Sequence, residues 1–179
     1  MERLINSSGD SALSDLSSLL DDSKGLPDVF EVVKKAVERT LGERRAGLML
    51  GLADLPLPLG AFYVVGSNII VMNQNLHNRI RVENPHMVNA FSFRILLHEY
   101  LHSLGYLNEV EVRRLVYEVS QSALGENHPA TRISWRRIQY FLPHTHFMPR
   151  RSRRGRRRLS DLEITVVKGF DRSSTGYIA

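Results

Sequence analysis

His98-Glu99-Tyr100-Leu101-His102-Ser103-Leu104-Gly105 is the stretch from which the rest of this 179-residue chain can be read. An apolar run from Phe91 to Leu97 leads into it, and a glycine stands three residues after the second histidine. On a helix, residues four apart share a face one turn apart, so His98 and His102 can aim their Nε2 atoms at a common point. Glu99 stands about 100° round the helix from His98, close enough to reach a water at that point without becoming a ligand. Two imidazoles with a nearby carboxylate suit zinc, which takes four N, O or S ligands and keeps one position open for water in catalytic sites. Such an ion would lower the pKa of the water, and Glu99 would take its proton as the water attacks a carbonyl. The chain has no cysteine, so disulfides and thiolate-bound metals are excluded and any zinc must use histidine and carboxylate.

Working outward, Pro85 to Leu104 reads as one long helix. Met87, Val88, Phe91, Ile95, Leu97 and Leu101 cover more than half its circumference, so it should be central and buried. Gly105 ends it. Asn108 opens a second helix that runs to about Leu124 and is closed by Gly125, with Val112, Leu115, Val116, Val119 and Ala123 as its inward stripe. So short a connection makes the two helices a hairpin, which brings the start of the second opposite the histidines. Continuing the stripe one turn back from Val112 lands on Glu109, or on Asn108. Glu111 points about 200° away from Glu109, and Glu118 lies far up the axis. Glu109 is therefore favoured as third ligand over Glu111 and Glu118, which can pair with Arg113 and Arg114 on a solvated face.

Upstream, Pro27 to Leu41 reads as a helix whose stripe of Phe30, Val33, Val37 and Leu41 should pack on a sheet. Arg45 to Leu52 reads as a strand and Leu55 to Gly60 as a loop. Ala61–Val65 and Ile69–Asn73 form a hairpin through Gly66-Ser67-Asn68. Ile69 to Met72 is expected to be an exposed strand able to bind an extended peptide by β-addition. Leu76 to His86 is polar and reads as a loop with one helical turn. Leucines at 13, 16, 19 and 20 give Asp10 to Asp22 a helical spacing, consistent with a surface helix or with a segment covering the site.

Downstream, Pro129 to Leu142 reads as a helix or loop-helix with Ile133, Trp135, Ile138 and Phe141 inward, followed by the pair His144 and His146. Arg150 to Arg158 holds seven arginines, and removing their charge from the net +5 leaves −2, so the basic character is local to that tail. The tail suits nucleic acid or another acidic surface. Leu162 to Val167 can add a strand, while Asp171 to Ala179 reads as unstructured. The chain therefore divides into a serine-rich segment (1–26), a catalytic body (27–148) and an arginine-rich tail (149–179).

At His98 to Glu109 the sequence resembles the zincin metallopeptidases, specifically a minimal gluzincin, and is similar to short metallopeptidases of the ImmA/IrrE type. The order helix, strand, hairpin, H-E-x-x-H helix and Glu-bearing helix resembles that core over roughly Pro27 to Gly125. The resemblance implies zinc held by His98, His102 and Glu109, with Glu99 as general base. The glycine spacing is that of metzincins, but Asn108 stands where they have a third histidine. His102-Ser103-Leu104-Gly105-Tyr106 is also similar to the YbeY-type ribonucleases, which lack a glutamate directly after the first histidine.

The expectation is thus a small α+β zincin-like fold, a short mixed or antiparallel sheet packed on an N-terminal helix, the H-E-x-x-H helix and a Glu-bearing helix. The expected activity is zinc-dependent hydrolysis of a peptide or protein substrate. The alternatives are a metal-dependent ribonuclease or a non-catalytic zincin-fold binding module that uses Arg150 to Arg158. No membrane span is expected, because Pro56, Pro58, Gly60 and three asparagines interrupt the weakly charged stretch after Arg45. With no secretory pattern in Met1 to Lys24, the expected location is cytoplasmic.

Overall fold

The computed structural model describes residues 15–135 and 162–172. A helix through residues 15–21 (α1) precedes α2 (Leu26–Leu41), β1 (Met49–Ala53), β2 (Ala61–Tyr63) and β3 (Ile69–Asn73). Then come α3 (Gln74–Glu83), a 3-10 turn (Pro85–Met87), α4 (Val88–Ser103), α5 (Glu109–Leu124), α6 (Pro129–Ser134) and β4 (Thr165–Val166). The fold is α+β, with a mixed four-stranded sheet in the order β2-β3-β1-β4. β1 and β3 run parallel, whereas β2 pairs antiparallel with β3 and β4 with β1. Among the described residues no helix is long and apolar enough to cross a membrane.

The helix carrying the two histidines occupies the centre. From Ala90 to Ser103, every residue of α4 is buried except Arg94, His98 and His102. Those three follow one another at intervals of four, so they form a single polar line along an otherwise enclosed helix. α2, α5, α6 and β2 enclose the rest. Gly105, at φ 106°, ends the helix in a conformation that strains any side chain. Asn108 caps α5 by accepting from the Val110 and Glu111 amides at 2.9 and 3.3 Å. Val112, Leu115, Val116, Val119 and Ala123 are all buried, as their spacing predicts.

Several expectations are corrected. Ile69–Asn73 is no edge: parallel pairing with β1 covers its second side, and β2 takes the outer position. That pairing joins residues about twenty apart, which local alternation does not reveal. Residues 74–83 form a helix instead of a loop, because Asn73 accepts from the Leu76 amide at 3.3 Å and Leu76 and Ile80 are buried one turn apart. The first strand begins at Met49, since the Arg45 amide and carbonyl are both bound by the Tyr100 hydroxyl, at 2.7 and 3.1 Å. α2 packs most closely on α4 and α5 instead of the sheet. Trp135 is 65% exposed, at the C-cap of α6, whereas Ile133 is buried. Ile138 and Phe141 lie outside the described residues.

Both ends of the described chain join the core. Leu16 and Leu20 of α1 are fully buried, and Asn89 closes the end of that helix by donating to the carbonyls of Leu20, Asp21 and Ser23. After β4, Phe170 stacks on Phe30 with centroids 4.1 Å apart. Asp171, expected to be unstructured, instead accepts from the buried Lys34 ammonium at 2.7 Å and from the Leu48 amide at 3.1 Å. A buried charge demands such partners, and beside Glu31, at 2.7 Å on the same helix, one of them comes from the far end of the sequence.

His128 caps α6 as an acceptor: the Ala130 amide donates to its Nδ1 at 3.1 Å, and its Nε2 meets Asp21 at 3.3 Å. Burial lowers its pKa from 6.5, with Asp21 opposing. His77 is likewise lowered by burial, with Arg81 adding. A base whose folded pKa is depressed contributes its full stability above its unfolded value and loses it as pH falls. These two histidines should therefore contribute a fall in the urea unfolding midpoint as pH drops from about 7 to about 5. His128→Asn keeps a capping side chain without the titration and should flatten that slope, the other histidines retaining the remainder.

Candidate metal centre

Three side chains meet where α4 turns into α5. His102 Nε2 lies 3.2 Å from His98 Nε2 and 3.1 Å from Glu109 Oε1, and His98 Nε2 lies 3.5 Å from Glu109 Oε2. Tetrahedral bonds of roughly 2.0–2.1 Å place ligand atoms about 3.3–3.4 Å apart, so these separations are close to the edges of one coordination tetrahedron. Among the described residues this is the group of histidines and carboxylates that could hold a metal ion.

The protonation pattern agrees with that use. His102 Nδ1 lies 2.8 Å from the Tyr106 carbonyl, which can only accept, so Nδ1 carries the proton and Nε2 presents its lone pair. Burial, His102, Arg94 and Arg113 push His98 down to about 4 against the pull of Glu109, so its ring is neutral near pH 7. Two imidazole nitrogens and a carboxylate oxygen thus converge as electron-pair donors, an arrangement that a cation satisfies.

The other glutamates named by spacing stand elsewhere. Glu118 accepts from Arg114 at 2.7 Å, and Glu111 is exposed in the first turn of α5. His144, His146 and Arg150 to Arg158 lie outside the described residues. Glu99 is 6% exposed and belongs to the cleft beside the triad. Burial raises its carboxyl to about 7; the Tyr63 backbone N–H acts the other way, and Glu109 adds to the rise. A carboxyl that changes charge near neutrality is matched to giving and taking protons there.

The cleft has a volume of about 650 Å³ and runs between α4 and β2. Asn73 donates to the Gly60 carbonyl at 2.8 Å and Val64 to the Ile69 carbonyl at 3.4 Å. Gly60, Phe62 and Val64 therefore face β3, and by alternation Ala61 and Tyr63 turn their backbone groups to the open side. The Tyr63 N–H is on that side and opposes the rise in the Glu99 pKa.

Sequence reasoning missed the residues behind the site. The segment after α2 holds it from outside: Arg45 Nη1 donates to the Tyr63 hydroxyl at 2.8 Å and to the Ser103 carbonyl, and Nη2 donates to the Ser67 carbonyl at 2.7 Å. Two residues earlier, Glu43 accepts from the Tyr106 hydroxyl. Tyr63 belongs to the strand that lines the cleft and the Tyr106 carbonyl orients His102, so one short segment braces both sides of the site. No local pattern marks Glu43 or Arg45; their partners lie 18 to 63 residues away.

Compared with known proteins, the chain matches no family model, no curated protein and no solved structure.

Outer partners of metal ligands are worth about 10–100-fold in affinity, so loss of a ligand should cost more. Calorimetric titration with zinc should show one site, weakened beyond about 100-fold by His98→Ala, His102→Ala or Glu109→Ala and left alone by Glu111→Ala or Glu118→Ala. Arg45→Met removes charged hydrogen bonds to three acceptors and should lower stability by about 2–4 kcal/mol in urea unfolding.

Proposed function

We propose that this protein is a zinc-dependent metallopeptidase that hydrolyses peptide bonds with Glu99 as general base. The observation that carries the reading is the buried Glu99 carboxyl, raised to about 7 and set in one cleft with the His98, His102 and Glu109 donors. The two imidazoles and one carboxylate fit zinc in number, donor type and spacing. A zinc ion supplies a Lewis acid that polarises a carbonyl and makes water acidic near pH 7.

The protein's own groups do the rest. Glu99 accepts the proton of the attacking water and returns it to the leaving amine, two transfers that its near-neutral carboxyl suits. The backbone of Ala61 and the carbonyl of Tyr63 offer an extended peptide the hydrogen bonds of a neighbouring strand, which would lay a scissile bond along the histidine line. The β-addition surface is therefore β2, not Ile69 to Met72. A nucleic-acid backbone has no use for such a strand edge, which favours peptide over RNA.

Peptide hydrolysis should depend on added zinc and stop with chelator. Glu99→Gln should keep zinc and lose activity by about 10²–10⁴-fold, read as kcat on a peptide library. A residual rate near wild type would sink the assignment. The same substitution carries a second expectation in the metal-free protein. An acid whose folded pKa is raised from 4.5 to about 7 contributes fully below pH 4.5 and loses stability as pH rises through 7. Above pH 7, Glu99→Gln should unfold at a higher temperature than wild type, by up to about 3 kcal/mol of stability.

A further inference from the structure

Residues 162–172 form a strap that lies far from the metal centre in sequence yet bears on the segment that braces it. Along β4 the Val167 amide donates to the Leu50 carbonyl at 2.8 Å, and Ile164 sits so close over Gly51 that a Cβ there would come within 2.3 Å of its Cγ2. The strap then turns onto α2, where Phe170 and the side chain of Asp171 are each 2% exposed. Arg172 fastens the end, its guanidinium donating to Asp28 at 2.8 Å and its amide to Glu31 at 3.3 Å.

Two consecutive residues of the strap reach the bracing segment by separate routes. Asp171 divides its carboxylate, Oδ1 accepting from the Lys34 ammonium at 2.7 Å and Oδ2 from the Leu48 amide at 3.1 Å. Phe170 stacks on Phe30 at 4.1 Å, and Phe30 meets the Tyr100 ring edge-on at 5.4 Å. The Tyr100 hydroxyl in turn holds the amide and carbonyl of Arg45. Leu48 closes the segment at its β1 end, as the left-handed Gly42 opens it at the end of α2. Between these fixed points stand Glu43, which holds Tyr106, and Arg45, which holds Tyr63, Ser67 and Ser103. Neutralising Lys34 does not by itself require Asp171, because Glu31 lies 2.7 Å from the same ammonium. The amide of Leu48, a residue 2% exposed, does need an acceptor, and Asp171 provides it.

We infer that Asp171 is a positioning residue for the metal centre: its bond to the Leu48 amide holds residues 43–48 where Glu43 and Arg45 set the ring of His102 and the strand beside the cleft. This rests on the zinc reading of the donor set and not on peptide hydrolysis. It also gives the site a means of control, since lifting residues 162–172 from β1 and α2 would loosen the three donors without touching any of them. Asp171 acts through Leu48 and through the segment, so its effect belongs to binding geometry and not to the proton transfers of Glu99.

The test measures zinc affinity of the full chain by competition with a chelator, and the visible spectrum of the cobalt(II)-loaded protein, which reports ligand geometry. Asp171→Ala leaves Glu31 beside Lys34 and should fold. It should weaken zinc by about 10-fold, the low end of what outer partners cost, and shift the cobalt bands. Asp171→Asn retains an acceptor for the Leu48 amide and should recover most of that loss. Lys34→Met removes the ion pair and leaves the amide bond, so it should bind zinc within about twofold of wild type whatever stability it loses. Leu16→Ala, which empties a fully buried position on α1 outside both routes, is a second control for lost stability and should also keep its affinity.

A folded Asp171→Ala protein with wild-type zinc affinity and an unchanged cobalt spectrum overturns the inference. An equal loss of affinity in Asp171→Ala, Lys34→Met and Leu16→Ala also overturns it, because the strap then serves stability alone. Where Asp171→Ala does not fold, Lys34→Met/Asp171→Leu replaces the pair by apolar groups, an exchange that buried ion pairs tolerate, and normal affinity in that protein is again fatal. Absence of zinc binding in the wild type removes both the inference and the metal centre beneath it. All of these outcomes are read from metal binding, so a failure to cleave peptides is a separate result that bears on the peptidase reading.

Discussion

The arrangement depends on one constraint: α4 is enclosed on every side but one. A helix surrounded by other elements must be apolar nearly all round, and whatever polar groups it carries are confined to the line left to solvent. Here that line is Arg94, His98 and His102. Glu99 is next to the line but inside it, so burial sets its carboxyl apart from an ordinary surface glutamate. The same enclosure that stabilises the fold thereby gives the two histidines a common direction and gives Glu99 its near-neutral proton affinity.

Enclosure fixes α4 but leaves open where its partners stand, and the segment from Gly42 to Leu48 settles that. Arg45 ties the hairpin loop to the end of α4 through the carbonyls of Ser67 and Ser103, and Glu43 holds Tyr106, whose carbonyl orients His102. The Tyr100 hydroxyl in turn holds both backbone groups of Arg45. A residue buried in the central helix thus positions the residue that positions the strand beside Glu99. Rigid support of this kind is what keeps reacting groups within a fraction of an ångström of their working geometry.

What could be read from the sequence was what a local period carries. His98 and His102 sit at a helical interval, and the stripe Val112, Leu115, Val116, Val119, Ala123 sets the rotation of α5, from which the nearness of Glu109 to the histidines follows. Asn108, Gly105 and Gly125 mark helix ends by their own backbone preferences. The readings that failed depended on distant partners. A single apolar pair, Leu76 and Ile80, was too weak a stripe to reveal α3, whose start depends on Asn73, a residue also donating to the Leu55 and Leu59 carbonyls. The order of strands depends on β1 lying parallel to β3, which no alternation within either strand encodes. Asp171 is structural through Lys34, buried 137 positions earlier, and through the Leu48 amide. Arg94 was within reach, since it stands four residues before His98 on the same line, but an arginine on a helix is ordinarily a solvated one and only the enclosure of the neighbouring residues singles it out.

The geometry of the bend has an energetic corollary. Glu109 is in the first turn of α5, where a carboxylate is favoured by the free amides of the helix start and by the Asn108 cap. Its oxygens nevertheless point back across the bend to nitrogens whose lone pairs, in the neutral state of both rings, oppose it. Without a cation or a proton the three donors repel, and the repulsion acts directly on the contact between α4 and α5. An ion held there would reverse that sign and join the two helices across Gly105, so its free energy of binding would also be free energy of folding for this part of the chain. The apolar stripe of α5 packs the helix against α4 from Val112 onward, while the Asn108 side chain caps its first turn.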